Sequence, residues 1–333
     1  MNATQKKYIT TWLYSGLVLV ALMVIIGGIT RLTQSGLSMV EWKPIHGVIP
    51  PLNETEWQEE FSKYKQFPEY QKLNKGMSLS EFKSIFFWEF LHRLLGRVIG
   101  LVFIIPFLVF WFKKWFTSTQ KKQLLLLLFF GGFQGFLGWF MVKSGLVDRP
   151  HVSHFRLAIH LLAAFGVMCY IYWLVLSFNA IPKRGNLTLN KLSKWFISLL
   201  LVQIIYGAFV AGLKAGYYLD TTNSVVKNIF GYTFRTTDDF SILNNAIDVQ
   251  AFHRIFAWVV FFIALFIYQK SKKTNVSRIG KIVFSLVVIQ VSLGIATLLL
   301  RVQIHTAIVH QFVAIILLLS AIKLNYLSGK IKA

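Results

Sequence analysis

Charge is scarce in this chain, and acidic charge scarcest: 13 Asp and Glu stand against 35 Lys and Arg, and all four together make up 14% of 333 residues. A water-exposed surface of this size needs far more. With 55% hydrophobic residues and a mean hydropathy of +0.58, the shortage excludes a soluble globular protein. Cysteine is nearly absent as well. Cys169 stands alone inside an apolar run, which excludes an intramolecular disulfide framework and reads as a small buried hydrophobe. No small-residue cleavage site follows the first apolar stretch, so a cleavable signal peptide is not expected. Nor does the net charge of +22 make a nucleic-acid binder. Such a protein gathers its bases on a polar domain or stripe, whereas here they fall in short clusters between apolar runs.

Those runs define the fold class, an all-α integral membrane protein. Eight segments are long enough for a hydrocarbon core, which takes about 20 residues per helix: roughly 12–30, 86–112, 122–142, 154–178, 192–213, 250–269, 279–300 and 305–326. Helices are required because lipid cannot satisfy an open backbone. Lys6 and Lys7, Lys113 and Lys114, Lys183 and Arg184, Lys270 to Lys273, and Lys323, Lys330 and Lys332 mark alternate connections and both termini. The positive-inside rule puts these on the cytoplasmic side. The long connections 31–85 and 214–249 then face outward. The first of them carries Trp42, Trp57, Tyr64 and Tyr70, side chains suited to a membrane interface. Asn53 with Glu56, and Ser78 with Glu81, are capping patterns; they predict a short interfacial helix near 54–66 and a capped entry to the second span.

The chain repeats itself. Phe90-Leu91-His92-Arg93 opens span two and Ala251-Phe252-His253-Arg254 opens span six, while Ile159-His160 in span four parallels Val309-His310 in span eight. Gly-containing segments, 131–135 and 290–294, precede the second histidine of each pair. Two pseudo-symmetric four-helix bundles follow, 1–178 and 192–333, running in the same direction as parallel repeats.

Ionisable groups inside spans are costly and mark function. His92, His160, His253 and His310 share a depth near the outer face, and within each half the two His-bearing helices can face one another across a bundle core. That arrangement suits a porphyrin whose iron is ligated by imidazole from both sides. Zinc is a weaker alternative, because two histidines per bundle leave too few Cys, Asp or Glu partners. Arg93 and Arg254, next to their histidines, and Arg97 one turn deeper are suited to haem propionates; snorkelling toward head groups is their simpler role. Glu89 lies three positions before His92 and so on the same helix face, where the other half has Gln250. An acid beside one haem and not the other suggests that one haem is transformed while the other carries electrons, with Glu89 moving protons. A helix-capping acid is the alternative reading. His46, His151, His154 and His305 are read as interfacial residues.

The stretch from Gly27-Gly28-Ile29-Thr30-Arg31 through Trp42-Lys43-Pro44-Ile45, together with Glu89-Phe90-Leu91-His92-Arg93, Met141 to Leu146, Phe252-His253-Arg254 and His310-Gln311, resembles the haem A synthase family in its longer form. The resemblance implies oxidation of the C8 methyl of haem O to a formyl group by successive hydroxylations. It further implies that His253 and His310 ligate a haem b cofactor, that His92 and His160 bracket the substrate haem, and that Glu89 is the essential acid. A multi-pass protein of the cell's inner membrane is implied too. The alternatives are a bis-haem electron-transfer cytochrome b, against which Glu89 opposite Gln250 argues, and a repeat-built transporter, which calls for broken helices at midplane. Haem O synthase is the natural source of substrate, and a homo-oligomer is possible. The family's shorter form has a cysteine pair in the first outer loop that this chain lacks. The run from Leu219 to Ser224 departs from the family pattern.

Overall fold

The computed structural model describes residues 2–41, 46–147, 150–218 and 241–331. Trp42 to Ile45, Lys332 and the divergent run beginning at Leu219 lie outside the described residues. Within the described residues the chain is all-helical, in the order α1 (Ala3–Leu32), α2 (Glu54–Tyr64), α3 (Pro68–Lys72), α4 (Leu79–Phe112), α5 (Ser118–Lys143), α6 (His154–Phe178), α7 (Leu187–Gly212), α8 (Ser241–Asn244), α9 (Ala246–Ser271), α10 (Ser277–Leu299) and α11 (Ile304–Ser328). Eight of these, α1, α4 to α7 and α9 to α11, are long and apolar enough to cross a membrane.

The eight predicted spans are found, and most of the helices run a few residues past their apolar runs. Hydrophobicity sets only the lipid-embedded stretch; the backbone ladder continues until a cap stops it. The Ser78–Glu81 pattern forms a full capping box at the start of α4, and Asn53 caps α2 through the Glu56 amide. Thr117 and Gln120 form a second capping box on α5, and Asn186 and Asn245 cap α7 and α9. Between α10 and α11 the chain turns on Arg301 and Val302, both left-handed at φ +52° and +58°. That conformation is rare for a β-branched residue. The Val302 side chain lies against Gly216, where a Cβ would come within 2.6 Å of it.

At 34 residues, α4 is about 50 Å long, well beyond the roughly 30 Å hydrocarbon core. Its first turns therefore stand clear of the lipid and hold a small aromatic cap. Phe61, Tyr64, Phe82 and Phe86 are buried there, with Trp57 and Tyr70 against them. Phe82 stacks on Phe61 at 4.9 Å and on Tyr64 at 5.2 Å between ring centroids. The Tyr64 hydroxyl donates to Glu69 Oε2 at 3.1 Å and accepts from Asn74 at 2.7 Å. Burial and the neighbouring Glu69 charge hold its pKa above the ordinary tyrosine value, so it remains a donor. Removing the central ring, Phe82→Ala, costs about 3–5 kcal/mol for a buried aromatic. Hydrogen exchange is expected to show lost protection across α2 and α3 with the spanning helices unaffected; unchanged protection there would mean the cap does not depend on this ring.

Contacts divide the chain into two compact units, one of Val18–Ala164 and one of Asn2–Leu17 with Phe165–Ala333. In the first, α4 lies against α5, and α2 sits on α4. Phe87 and Leu101 on α4 and Phe129, Phe133 and Phe136 on α5 are exposed, as lipid-facing residues are. In the second, α7 packs on α9 and α11, and α10 on α9 and α11, closing a four-helix ring.

Candidate functional site

Four histidines project from the ends of their helices nearest the long connections. His160, His253 and His310 lie six or seven residues inside α6, α9 and α11, about 10 Å along the axis. His92 is farther along α4, whose first turns belong to the cap. All four are half-buried. His92 lies within electrostatic range of His160, and His253 within range of His310.

Every one of these rings lies against a glycine of the preceding span. A Cβ on Gly27 of α1 would stand 3.2 Å from His92 Nε2, and one on Gly138 of α5 would stand 3.4 Å from His160 Cε1. On Gly207 of α7 it would meet His253 Cε1 at 3.3 Å, and on Gly294 of α10 it would meet His310 Cε1 at 3.2 Å. The absent side chain is what lets each imidazole lie between two helices. One turn past each histidine, on the same face, stands another small residue: Gly96, Ala164, Ala257 or Ala314.

The donor set fits a porphyrin. Nδ1 of His160, His253 and His310 is buried without a hydrogen-bond partner, so these rings are not merely satisfied membrane histidines. Each unit supplies a pair of imidazoles, the number that an axially ligated haem takes, since the macrocycle provides the remaining ligands. Among the described residues no group of three or more His, Cys, Asp or Glu side chains gathers, and a tetrahedral zinc set is not assembled there.

Glu89 is 3% exposed and fully engaged. Its Oε2 accepts from Ser38 Oγ at 2.7 Å and from the Met39 amide at 2.9 Å. Its Oε1 accepts from Arg93 Nη2 at 2.6 Å. Arg93 also donates to the carbonyls of Met39 at 2.7 Å and Glu41 at 3.0 Å. One carboxylate and one guanidinium thus fasten the 38–41 segment of the long connection to the turn of α4 that carries His92. In the second unit the corresponding Gln250 is equally buried and donates to the Ala215 carbonyl at 3.3 Å. The Nε of Arg254 is buried with no partner. The same arginine position is therefore neutralised in one unit and left with a free donor in the other.

Arg97 lies deeper on α4 and is partly buried. His151 and His305 are exposed, and His154 packs on the Phe155 ring at 4.1 Å. The sequence pattern alone does not assign Gly27, Gly138 and Gly207 to places opposite their histidines, nor Gln203 to one beside His253. The pattern is nonetheless linear: residues 23, 134, 203 and 290 are Met, Gln, Gln and Gln, each four before its glycine. Gln203 Nε2 lies 2.9 Å from the His253 carbonyl and 3.4 Å from His253 Nε2, and Gln290 Nε2 lies 3.3 Å from His310 Nε2.

Comparison with known proteins gives a consistent result. Residues 10–322 match a family described as COX15-CtaA, cytochrome oxidase assembly protein. A protein of Flavobacterium johnsoniae named "Heme A synthase" is 43% identical over 328 residues, covering 94% of this chain and 96% of its own. Proteins of the same name from Nitrosospira multiformis and Brucella suis are 40% and 39% identical, covering 96% of this chain and 93% and 92% of their own.

Proposed function

The chain belongs to the COX15-CtaA family of cytochrome oxidase assembly proteins, and from that premise we propose that it is a haem A synthase, an oxidoreductase that converts the C8 methyl of haem O to a formyl group. The observation that carries this reading is the unequal pair of sites: two imidazoles in each unit, with a buried carboxylate beside one pair and a neutral amide at the same place beside the other.

On this reading His92 and His160 bracket the substrate haem, and His253 and His310 hold a haem b cofactor. When bound, haem b supplies a one-electron relay. The remaining chemistry belongs to the chain's own residues. Arg254, with its free donor, pairs with a propionate of the cofactor. Glu89 sits beside the substrate's ligand, held by Ser38, the Met39 amide and Arg93, and moves protons as the methyl group is oxidised. Arg93 sets the Glu89 carboxylate and, through Met39 and Glu41, holds the 38–41 segment over the site. The methyl carbon is hydroxylated twice, each step passing two electrons to an external oxidant, and the hydrated aldehyde so formed loses water to give the formyl group. The lysine-rich connections are read as cytoplasmic; on that reading both termini lie on the cytoplasmic side of the inner membrane and both haem sites lie toward its outer leaflet. Haem O arrives through the bilayer or from haem O synthase, and each half of the repeat, 1–178 and 192–333, serves one haem.

Extraction and chromatography of haems from the purified protein tests the reading. Wild type is expected to carry haem b together with haem O or haem A. Haem b alone, spread over two equivalent sites, would make the protein an electron carrier.

A further inference from the structure

Each unit keeps one guanidinium with donors to spare, but on different helices of the repeat. In the second unit it is Arg254, beside His253, whose Nε is buried with no partner. Its repeat counterpart Arg93 is taken up by Glu89 and by the Met39 and Glu41 carbonyls. In the first unit it is Arg156, on α6. It stands four residues before His160, on the same helix face and one turn nearer the helix start. Both side chains lean on the same stretch of α5. A Cβ on Gly138 would stand 3.4 Å from His160 Cε1. Arg156 Nη1 donates to the Phe140 carbonyl at 2.8 Å, and the guanidinium lies 3.8 Å from the Phe140 ring centroid. That carbonyl belongs to the last turn of α5, where no amide of the helix reaches it. Among the described residues the guanidinium makes no other hydrogen bond or ion pair, so most of its N–H donors remain available. The repeat counterpart of Arg156 is Thr306, four before His310, whose hydroxyl turns back to the Gln303 carbonyl of its own chain segment.

We propose that Arg156 binds a propionate of the substrate haem and thereby sets where its C8 methyl stands. The inference rests on the reading of His92 and His160 as the substrate site. A haem O ring carries its two carboxylates on neighbouring pyrroles along one edge, and the C8 methyl shares a pyrrole with one of them. A carboxylate held at a fixed donor therefore fixes the place of that methyl relative to the iron ligands. A guanidinium presents a planar fork matched to a carboxylate. Here the Phe140 ring and carbonyl orient the fork before substrate arrives. Arg156 lies between His160 and the start of its helix, whereas Arg97 lies deeper on α4 than His92. A carboxylate edge turned toward Arg156 stays near the membrane interface. Turned toward Arg97 it would be carried toward the midplane, where charge is costly.

The test is titration of the purified protein, its haem b in place, with haem O and with haem O dimethyl ester, followed by the Soret difference spectrum. Wild type is expected to bind the free acid more tightly than the ester. Arg156→Gln, which keeps a donor for the Phe140 carbonyl, is expected to bind haem O about tenfold more weakly, the low end for a hydrogen bond to a charged group. It is expected to bind the ester as wild type does. Arg156→Lys is expected to fall between, since a point charge replaces the fork. Equal weakening toward acid and ester would make Arg156 a cap of α5 and overturn the proposal. A wild-type preference for the acid in Arg156→Gln overturns it too, as does loss of that preference in Arg97→Gln instead. If the glutamine variant is not recovered as a monodisperse protein, Arg156→Lys decides: a ratio of acid to ester affinity equal to wild type overturns the proposal. His160→Ala separates the failures. If it takes up haem O as wild type does, the substrate site itself is misassigned, and this inference falls with it. If it loses haem O while Arg156→Gln keeps the wild-type ratio, only the role of Arg156 is overturned.

Discussion

Glu89→Gln abolishes formation of haem A while leaving haem b in place. The substitution keeps the shape of the side chain and its acceptor toward Ser38 and Met39, but it removes the charge beside Arg93 and the proton-accepting group. Loss of a positioned acid or base costs about 10²–10⁴-fold in rate, so conversion of haem O is expected to fall below detection in extracted haems. Glu89→Ala goes further. It leaves the Arg93 guanidinium, whose side chain is 11% exposed, without its buried partner, a loss of about 3–5 kcal/mol, and it unfastens the 38–41 segment. Proteolysis of that segment is expected to accelerate more in the alanine variant than in the glutamine variant, which keeps the contacts to Ser38 and Met39. If the glutamine variant converts haem O at the wild-type rate, Glu89 is a fastening for the loop and nothing more.

Enlarging the glycines opposite the cofactor histidines should separate function from stability. Gly294→Ala puts a methyl 3.2 Å from His310 Cε1, and Gly207→Ala puts one 3.3 Å from His253 Cε1, so each ring must shift by a few tenths of an ångström. Each change also gains about 1 kcal/mol of helix propensity. The haem-free variants are therefore expected to melt no lower than wild type while haem b content falls by about tenfold, in line with disturbed ligand orientation. Gly294→Val, with two more methyl groups in the same space, is expected to expel the His310 ring and abolish haem binding. The haem-to-protein absorbance ratio, followed with thermal melting of each variant, reads both effects. Full haem content in Gly294→Val would show that the ring needs none of the space this glycine leaves. The corresponding changes at Gly27 and Gly138 are expected to spare haem b and reduce haem A.

The eight spans could be read from the sequence because their cause is local: an apolar run of sufficient length has no other stable state in lipid. The capping residues were legible for the same reason, since a cap acts within three positions of itself. Asn53 and Ser78 behave as their spacing indicates. Thr117 obeys the same rule without having been singled out. The four histidines stood out because charge-capable groups in spans are rare.

What each polar group does was not legible in this way. Nothing local to Glu89 indicates that Ser38 and Met39, some fifty residues away, take one of its oxygens. Nothing local to Arg93 and Arg254 distinguishes two arginines that each follow a histidine, yet one is occupied by Glu89 and loop carbonyls while the other keeps an unpartnered Nε. The sequence by itself determined an eight-helix membrane protein with histidines inside its spans, because hydrophobic length and the rarity of buried charge are properties of the chain alone. Only the tertiary structure decided which glycine faces which imidazole and which amide lies beside it. Those depend on the rotation of one helix against its neighbour, and that rotation is settled by packing between residues far apart in the chain.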